Sequence, residues 1–253
     1  MRTLKFLILT VSIVLGTISG YAQEAKATKP SIIFVHGIWA DGSSWTSQIN
    51  DLQAKGYPVI SVQNPITSLS DDVAATKRAI DRAEGNVILV GHSWGGFVIT
   101  QAGNDPKVVG LVYVAALAPD LGETLPSLSA KGPAVNLKDY FEPVGGFVYL
   151  SKEGVKTVFA QNLTAMQQNL IYATQTPAAQ TVFGDQSGEP AWKQKPSWYI
   201  VAKSDKAIHP DLERFMAKRS HAKTIEVEAS HVVMISHAKE VLAVIEEAAN
   251  SKK

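Results

Sequence analysis

The chain is predicted to be an α/β protein: a mostly six-stranded parallel sheet with helices on both faces and a helical cap over one edge. Three observations carry this reading. Short runs rich in Val and Ile alternate with amphipathic stretches at helical spacing, as strands buried on both faces alternate with the helices that cover them. A single long interval, about residues 120–195, breaks that alternation. A Gly-x-Ser-x-Gly turn lies between one strand and the helix after it.

The first residues differ in kind from the rest. Arg2 and Lys5 flank the start of the apolar run Phe6 to Ile18, and the small residues Gly20 and Ala22 follow. Positive, apolar, then small is the order of a secretory signal peptide, here residues 1–22 with a cut ahead of Gln23. The apolar run is short for a bilayer span, which takes about 20 residues. The expectation is a secreted or periplasmic domain over 23–253, with no membrane partner once the signal is removed. The chain has no cysteine, so that fold must hold without disulfides.

Residues 23–30 are a short polar linker. Buried strands are then expected at Ser31–Val35, Pro58–Val62, Asn86–Val90, Val108–Ala115, Ser197–Ala202 and Thr224–Val227. Between the second and third of these, Ser70–Glu84 reads as a helix. Val73, Thr76, Ile80 and Ala83 share one face, and Asp71 and Asp72 suit its N-terminus. The interval 120–195 has no clear buried strand, several aromatic residues, and helix-like pieces at Gly154–Gln161 and Ala165–Ala173. It is read as a cap inserted into one domain. A final helix is expected over Ala238–Ala249, with Ser236 as its N-cap.

Composition excludes some classes of function. Hydrophobic residues make up 45% and charged residues 19%, and the formal net charge is +1. No basic cluster offers a face to nucleic acid. His231 and His237 are not at the i, i+4 spacing of a helical zinc pair, so neither metal nor cofactor is expected.

The chemistry centres on Gly91-His92-Ser93-Trp94-Gly95-Gly96, after one strand and before a helix. A serine in so sharp a turn is exposed as a nucleophile. Small neighbours admit the turn, and the helix N-terminus favours negative charge beside it. An oxyanion needs two N–H donors. Trp94, after the serine, and Ile38, in the loop after the first strand, are placed to give them. His36 in that loop is read as a brace. The base should come last in chain order, which selects His231 over His237, since His237 falls in the first turn of the final helix. Asp205, in the loop after Ser197–Ala202, is the preferred acid, with Asp120 as the alternative. His209 and His221 are read as surface residues. Trp39 and Trp192, with the cap aromatics, are the candidate walls of a substrate pocket.

Four segments in order, FVHGIWADGSSW, VGHSWGG, PSWYIVAKSD and SHVVMISH, resemble a widespread group of bacterial α/β hydrolases related to plant methyl esterases and hydroxynitrile lyases. The likeness runs from about Ser31 to the C-terminus and is weakest in the cap. It implies the α/β-hydrolase fold without its usual N-terminal strand pair. It also implies a Ser93, Asp205 and His231 triad, with Ile38 and Trp94 as oxyanion donors. The expected activity is cleavage of small neutral carboxylic esters through an acyl-enzyme, with a small-molecule ester as the partner. A cofactor-free lyase is the competing reading. The related hydroxynitrile lyases, however, carry a lysine after the histidine and a threonine after the first strand, where this chain has Val232 and Gly37. A non-catalytic small-molecule binding protein is the third reading, and an intact triad argues against it. Epoxide or haloalkane hydrolysis would want aspartate at position 93.

Overall fold

A computed structural model describes residues 29–251, so the expected signal segment 1–22 lies outside the described residues. From β1 (Ser31–Val35) the chain passes through α1 (Thr46–Ala54), β2 (Val59–Val62), α2 (Leu69–Arg82), β3 (Val87–Ser93) and α3 (Gly95–Ala102) to β4 (Val108–Ala116). The insertion holds α4 (Leu125–Ser129), β5 (Phe141–Val144), β6 (Phe147–Leu150), a short α5 (Lys152–Gly154), α6 (Ala165–Thr174) and β7 (Ala178–Ala179). After it come β8 (Ser197–Ala202), α7 (Pro210–Arg219), β9 (Lys223–Val227), α8 (Val233–Ser236) and α9 (Ala238–Asn250).

The six strands β2-β1-β3-β4-β8-β9 pair in that order, all in parallel. The fold is that of an α/β hydrolase. Every residue of β1 and β8 is buried, which explains why both read as unbroken apolar runs. From β1 the chain moves outward to β2, then crosses back to β3 on the other side of β1. Such a reversal opens a crevice at the carboxyl ends of the two strands. Ser93 ends β3 and the loop from His36 to Trp39 follows β1, so both stand at that crevice.

The helices begin and end for local reasons. The Ser68 side chain accepts from Asp71 N at 3.0 Å and caps α2, which starts at Leu69, one residue before the expected Ser70. The helix stops at Arg82, because Ala83 is extended and Gly85 has φ of +69°. At the C-terminal end Ser236 is not the N-cap. It closes α8, and His237 (φ −129°) makes the break before α9, with Ser236 Oγ and His237 Nδ1 sharing a hydrogen bond of 2.9 Å.

The insertion contains more than the helices expected. β5 and β6 form an antiparallel hairpin turned by Gly145 and Gly146, both at positive φ, and β7 adds a third strand. Two such glycines suit a tight hairpin turn that follows the twist of the strands. Gly154–Gln161, expected as helix, is α5 followed by a π-helical turn over Val155–Phe159.

The tightest packing surrounds the turn after β3. Ser93 has φ of +53°, rare for a residue with a side chain. A Cβ on Gly95 would lie 2.2 Å from Val35 O, and one on Gly96 would lie 2.1 Å from Leu117 O. The turn is therefore wedged between the backbones leaving β1 and β4. Gly96→Ala is expected to destabilise the protein by about 2–4 kcal/mol, because backbone rather than a movable side chain must yield. Urea unfolding of wild type and variant measures it.

Candidate active site

Ser93 and His231 both open onto one cavity of about 660 Å³. Its inner wall includes Ile38, Trp39, Trp94 and Leu117, and the cap contributes Leu125, Pro126, Leu137, Phe141 and Phe183. Lys138 and His209 are its potentially charged members besides His231. Trp192 takes no part in that wall. Its indole donates to Pro119 O at 2.9 Å from a short turn packed against α3, so it is buried as structure. His209, expected at the surface, lines the cavity, and its Nδ1 accepts from Asp211 N at the start of α7.

The histidine is held on several sides. His231 Nδ1 lies 2.5 Å from Asp205 Oδ2, and both residues are buried. With Nδ1–H donating to the carboxylate, Nε2 is left as the acceptor, the tautomer a general base requires. Asp205 is fixed in turn, because its other oxygen accepts from Ala207 N at 2.7 Å and Ile208 N at 2.9 Å. His92 Nε2–H donates to His231 O at 3.0 Å. Burial, reinforced by the neighbouring His231, holds the His92 imidazole well below the usual histidine range, so it stays neutral. The Phe159 ring packs 5.0 Å from that of His231. Asp120 is elsewhere, in a surface ion pair of 2.8 Å with Lys193.

The loop after β1 is braced by His36. Its Nδ1–H donates to Gly37 O at 2.9 Å, and its Nε2 accepts from Asn64 N at 2.9 Å. Beyond it, Trp39 (φ +60°) donates from Nε1 to Val148 O and from its backbone N to Thr176 O, each at 2.9 Å. Among the described residues the backbone N–H groups of Ile38 and Trp94 have no protein acceptor. Both residues border the cavity beside Ser93.

Two acids escaped the sequence reading. Asp72, there only a favourable charge at a helix start, is fully buried. It accepts from Ile66 N at 2.9 Å and from Trp94 Nε1 at 2.8 Å. It thus fixes the side chain of the residue that follows the serine. Glu213 of α7 is fully buried beside Asp205. The missed signal for Asp72 was its place, three and four residues before Ala75 and Thr76 on the apolar face.

Burial pushes the Asp72 carboxyl up to about 6. That exceeds the value of about 3.9 in an unfolded chain, so the folded state holds this proton more tightly. Its contribution to stability is complete at low pH and is lost as pH rises through about 4 to 6. Over that window, wild type should lose stability relative to Asp72→Asn, which cannot ionise. Asp72→Ala, leaving two buried donors unmet, should lose about 1–3 kcal/mol at all pH values. Denaturant titrations at stepped pH measure both.

Comparison with known proteins agrees with this architecture. A curated relative, "Alpha/beta hydrolase nvfD" of Aspergillus novofumigatus (strain IBT 16806), is 24% identical over 244 residues, covering 87% of this chain and 97% of its own length. Among solved structures, the pyrethroid hydrolase PytH superposes with a TM-score of 0.76 at 23% identity, over 88% of this chain and 98% of that one. Polyneuridine aldehyde esterase gives 0.76 at 19% identity, over 88% and 100%. Residues 32–244 match the model of the Alpha/beta hydrolase family, and this chain belongs to that family.

Proposed function

We propose that the protein is a serine hydrolase that cleaves small neutral carboxylic esters through an acyl-enzyme. Ser93 is the nucleophile, His231 the base and Asp205 the orienting acid. The observation that carries this reading is the buried His231–Asp205 pair of 2.5 Å behind a cavity onto which Ser93 also opens. In this reading His231 Nε2 takes the Ser93 proton as Oγ attacks the ester carbonyl. The resulting oxyanion accepts from the free N–H groups of Ile38 and Trp94. The protonated His231 then gives its proton to the departing alcohol, and water repeats the sequence on the acyl group.

The cavity suggests the substrate class. Its lining is largely aliphatic and aromatic, and about 660 Å³ lies within the range of small-molecule sites. A charged substrate group buried among the apolar residues, away from Lys138 and His209, would cost several kcal/mol, which favours neutral esters. The related proteins named as hydrolases and esterases support the reaction type at the level of hydrolysis.

The first test is covalent. An organophosphonate should add its mass to wild type at Ser93, and Ser93→Ala should fold yet lose activity by about 10⁴ to 10⁶. Labelling of the variant at another serine would remove Ser93 from its role. Asp205→Asn should lower kcat by about 10⁴ while Asp120→Asn changes it little. A panel of p-nitrophenyl esters of increasing acyl length should give rates that peak at short chains. Cleavage of a cyanohydrin on the same panel, with no ester hydrolysis, would favour the lyase.

A further inference from the structure

The environment of Glu213 is unusual for a glutamate. It projects from α7 against β8 with none of its surface exposed, and among the described residues it has no cationic partner within ion-pair distance. Oε2 accepts from Ala202 N at 3.0 Å, while Oε1 is buried with no donor aimed at it. The carboxyl neighbours that of Asp205, whose backbone N donates to O of the same Ala202 at 3.1 Å and whose two oxygens already accept from Ala207 N, Ile208 N and His231 Nδ1. Two ionised carboxylates cannot share such a site, because their repulsion is unscreened and neither supplies a proton to the bond between them. A proton on Glu213 resolves both difficulties: Oε1 becomes a donor, and its acceptor is the neighbouring carboxylate.

We infer that Glu213 is a positioning residue that carries its own proton and donates it in a hydrogen bond to Asp205, extending the Ser93–His231–Asp205 arrangement by a neutral carboxylic acid. The inference rests on the catalytic reading of Asp205 given above. Burial, and then the adjacent Asp205, raise the Glu213 carboxyl well above the usual carboxylate range. The other titratable groups that face it do not supply a countercharge. The buried Tyr199 of β8 is pushed upward itself, by burial and then by Glu213. Arg214, the next residue on α7, turns to the surface and is held by Glu226 and Asp211, each at 2.7 Å. The donated bond is a further restraint on Asp205, beside those from Ala207 N, Ile208 N and His231 Nδ1. It also draws off part of the negative charge that would otherwise stabilise a protonated His231.

Glu213→Gln and Glu213→Leu in the full-length protein test this. A glutamine amide reproduces both contacts, its N–H toward Asp205 and its oxygen toward Ala202 N, with the same charge as a protonated glutamate. Glu213→Gln should therefore keep kcat within about twofold and leave the acid limb of the kcat/KM pH profile in place within about 0.3 unit. Glu213→Leu should lower kcat by about tenfold, as expected for loss of one hydrogen bond to a charged acceptor, with KM little changed. Its acid limb should move to higher pH, because an unrestrained Asp205 stabilises protonated His231 better. Infrared difference spectra should contain the carbonyl stretch of a buried carboxylic acid in wild type that Glu213→Gln removes. A fall of the acid limb by about one unit in Glu213→Gln would mean that an ionised carboxylate had been neutralised, and would overturn the inference. Unchanged kcat and an unchanged profile in Glu213→Leu would overturn it too, reducing Glu213 to packing. If the leucine variant does not fold, the glutamine profile and the infrared band decide. Failure of the phosphonate to label Ser93 would instead defeat the catalytic reading, and the infrared band would still report on the Glu213 proton.

Discussion

The left-handed conformation of Ser93 is the constraint from which the rest of the structure follows. A residue with a side chain adopts φ of +53° only when its surroundings over-determine it, since the strain is of order 1–3 kcal/mol. Here two neighbouring backbones do so. The turn touches the chain leaving β1 through Gly95 and the chain leaving β4 through Gly96, and Leu117 N donates to Ser93 O at 3.0 Å. Those contacts require β3 to lie between β1 and β4, the order the sheet has. They also require a rigid interior, and the rings of Trp45, Trp94, Tyr113 and Tyr199 are fully buried around this region.

Around that turn the protein buries acids in two different ways. Asp205 is surrounded by donors, two backbone N–H groups and an imidazole, and its charge is dispersed over them. Asp72 has one backbone and one indole donor and no cation. Its oxygens meet both donors, and the resulting polar bridge between α2 and Trp94 adds direction to an indole that is already fully buried and stacked on Phe97. Buried polar groups of this kind reduce stability relative to an apolar core and specify one arrangement in exchange.

The strands were legible from sequence to within one residue at each end, except that β3 runs three residues further, to Ser93. The central ones are buried on both faces and admit little besides Val, Ile and other apolar residues. The edge strands β2 and β9, expected to be buried, are largely half-buried or exposed. The neighbourhood of Asp205 and His231 was legible from chain order alone. The cap was not. Gly145-Gly146 between Phe141–Val144 and Phe147–Leu150 carries an ordinary hairpin signal, which the helix-like pieces that follow it, Gly154–Gln161 and Ala165–Ala173, overshadow. Trp192 reads as a pocket wall in the sequence because aromatic residues in an insertion look alike until their neighbours are known. Asp72 and Glu213 were unreadable for a deeper reason. Each sits near the start of an amphipathic helix, where an acid is favoured by the helix dipole whether it faces solvent or the core. Only the packing of the helix distinguishes these cases.

The two hydrogen bonds of Trp39 have a consequence for how such a molecule can change over generations. The cap and the loop after β1 are different kinds of structure, one an insertion and the other part of the framework, yet Trp39 joins them at Val148 and Thr176. Ile38 is its immediate neighbour. A change of register in the cap hairpin would therefore be transmitted through one indole to the backbone beside Ser93. The insertion cannot diversify as an independent module: variants that reshape the chamber must preserve the Val148 carbonyl or replace its anchoring role. Among the described residues no hydrogen bond ties α4 and the segment after it to the framework loop, so that side of the cap can be reshaped without pulling on the backbone beside Ser93.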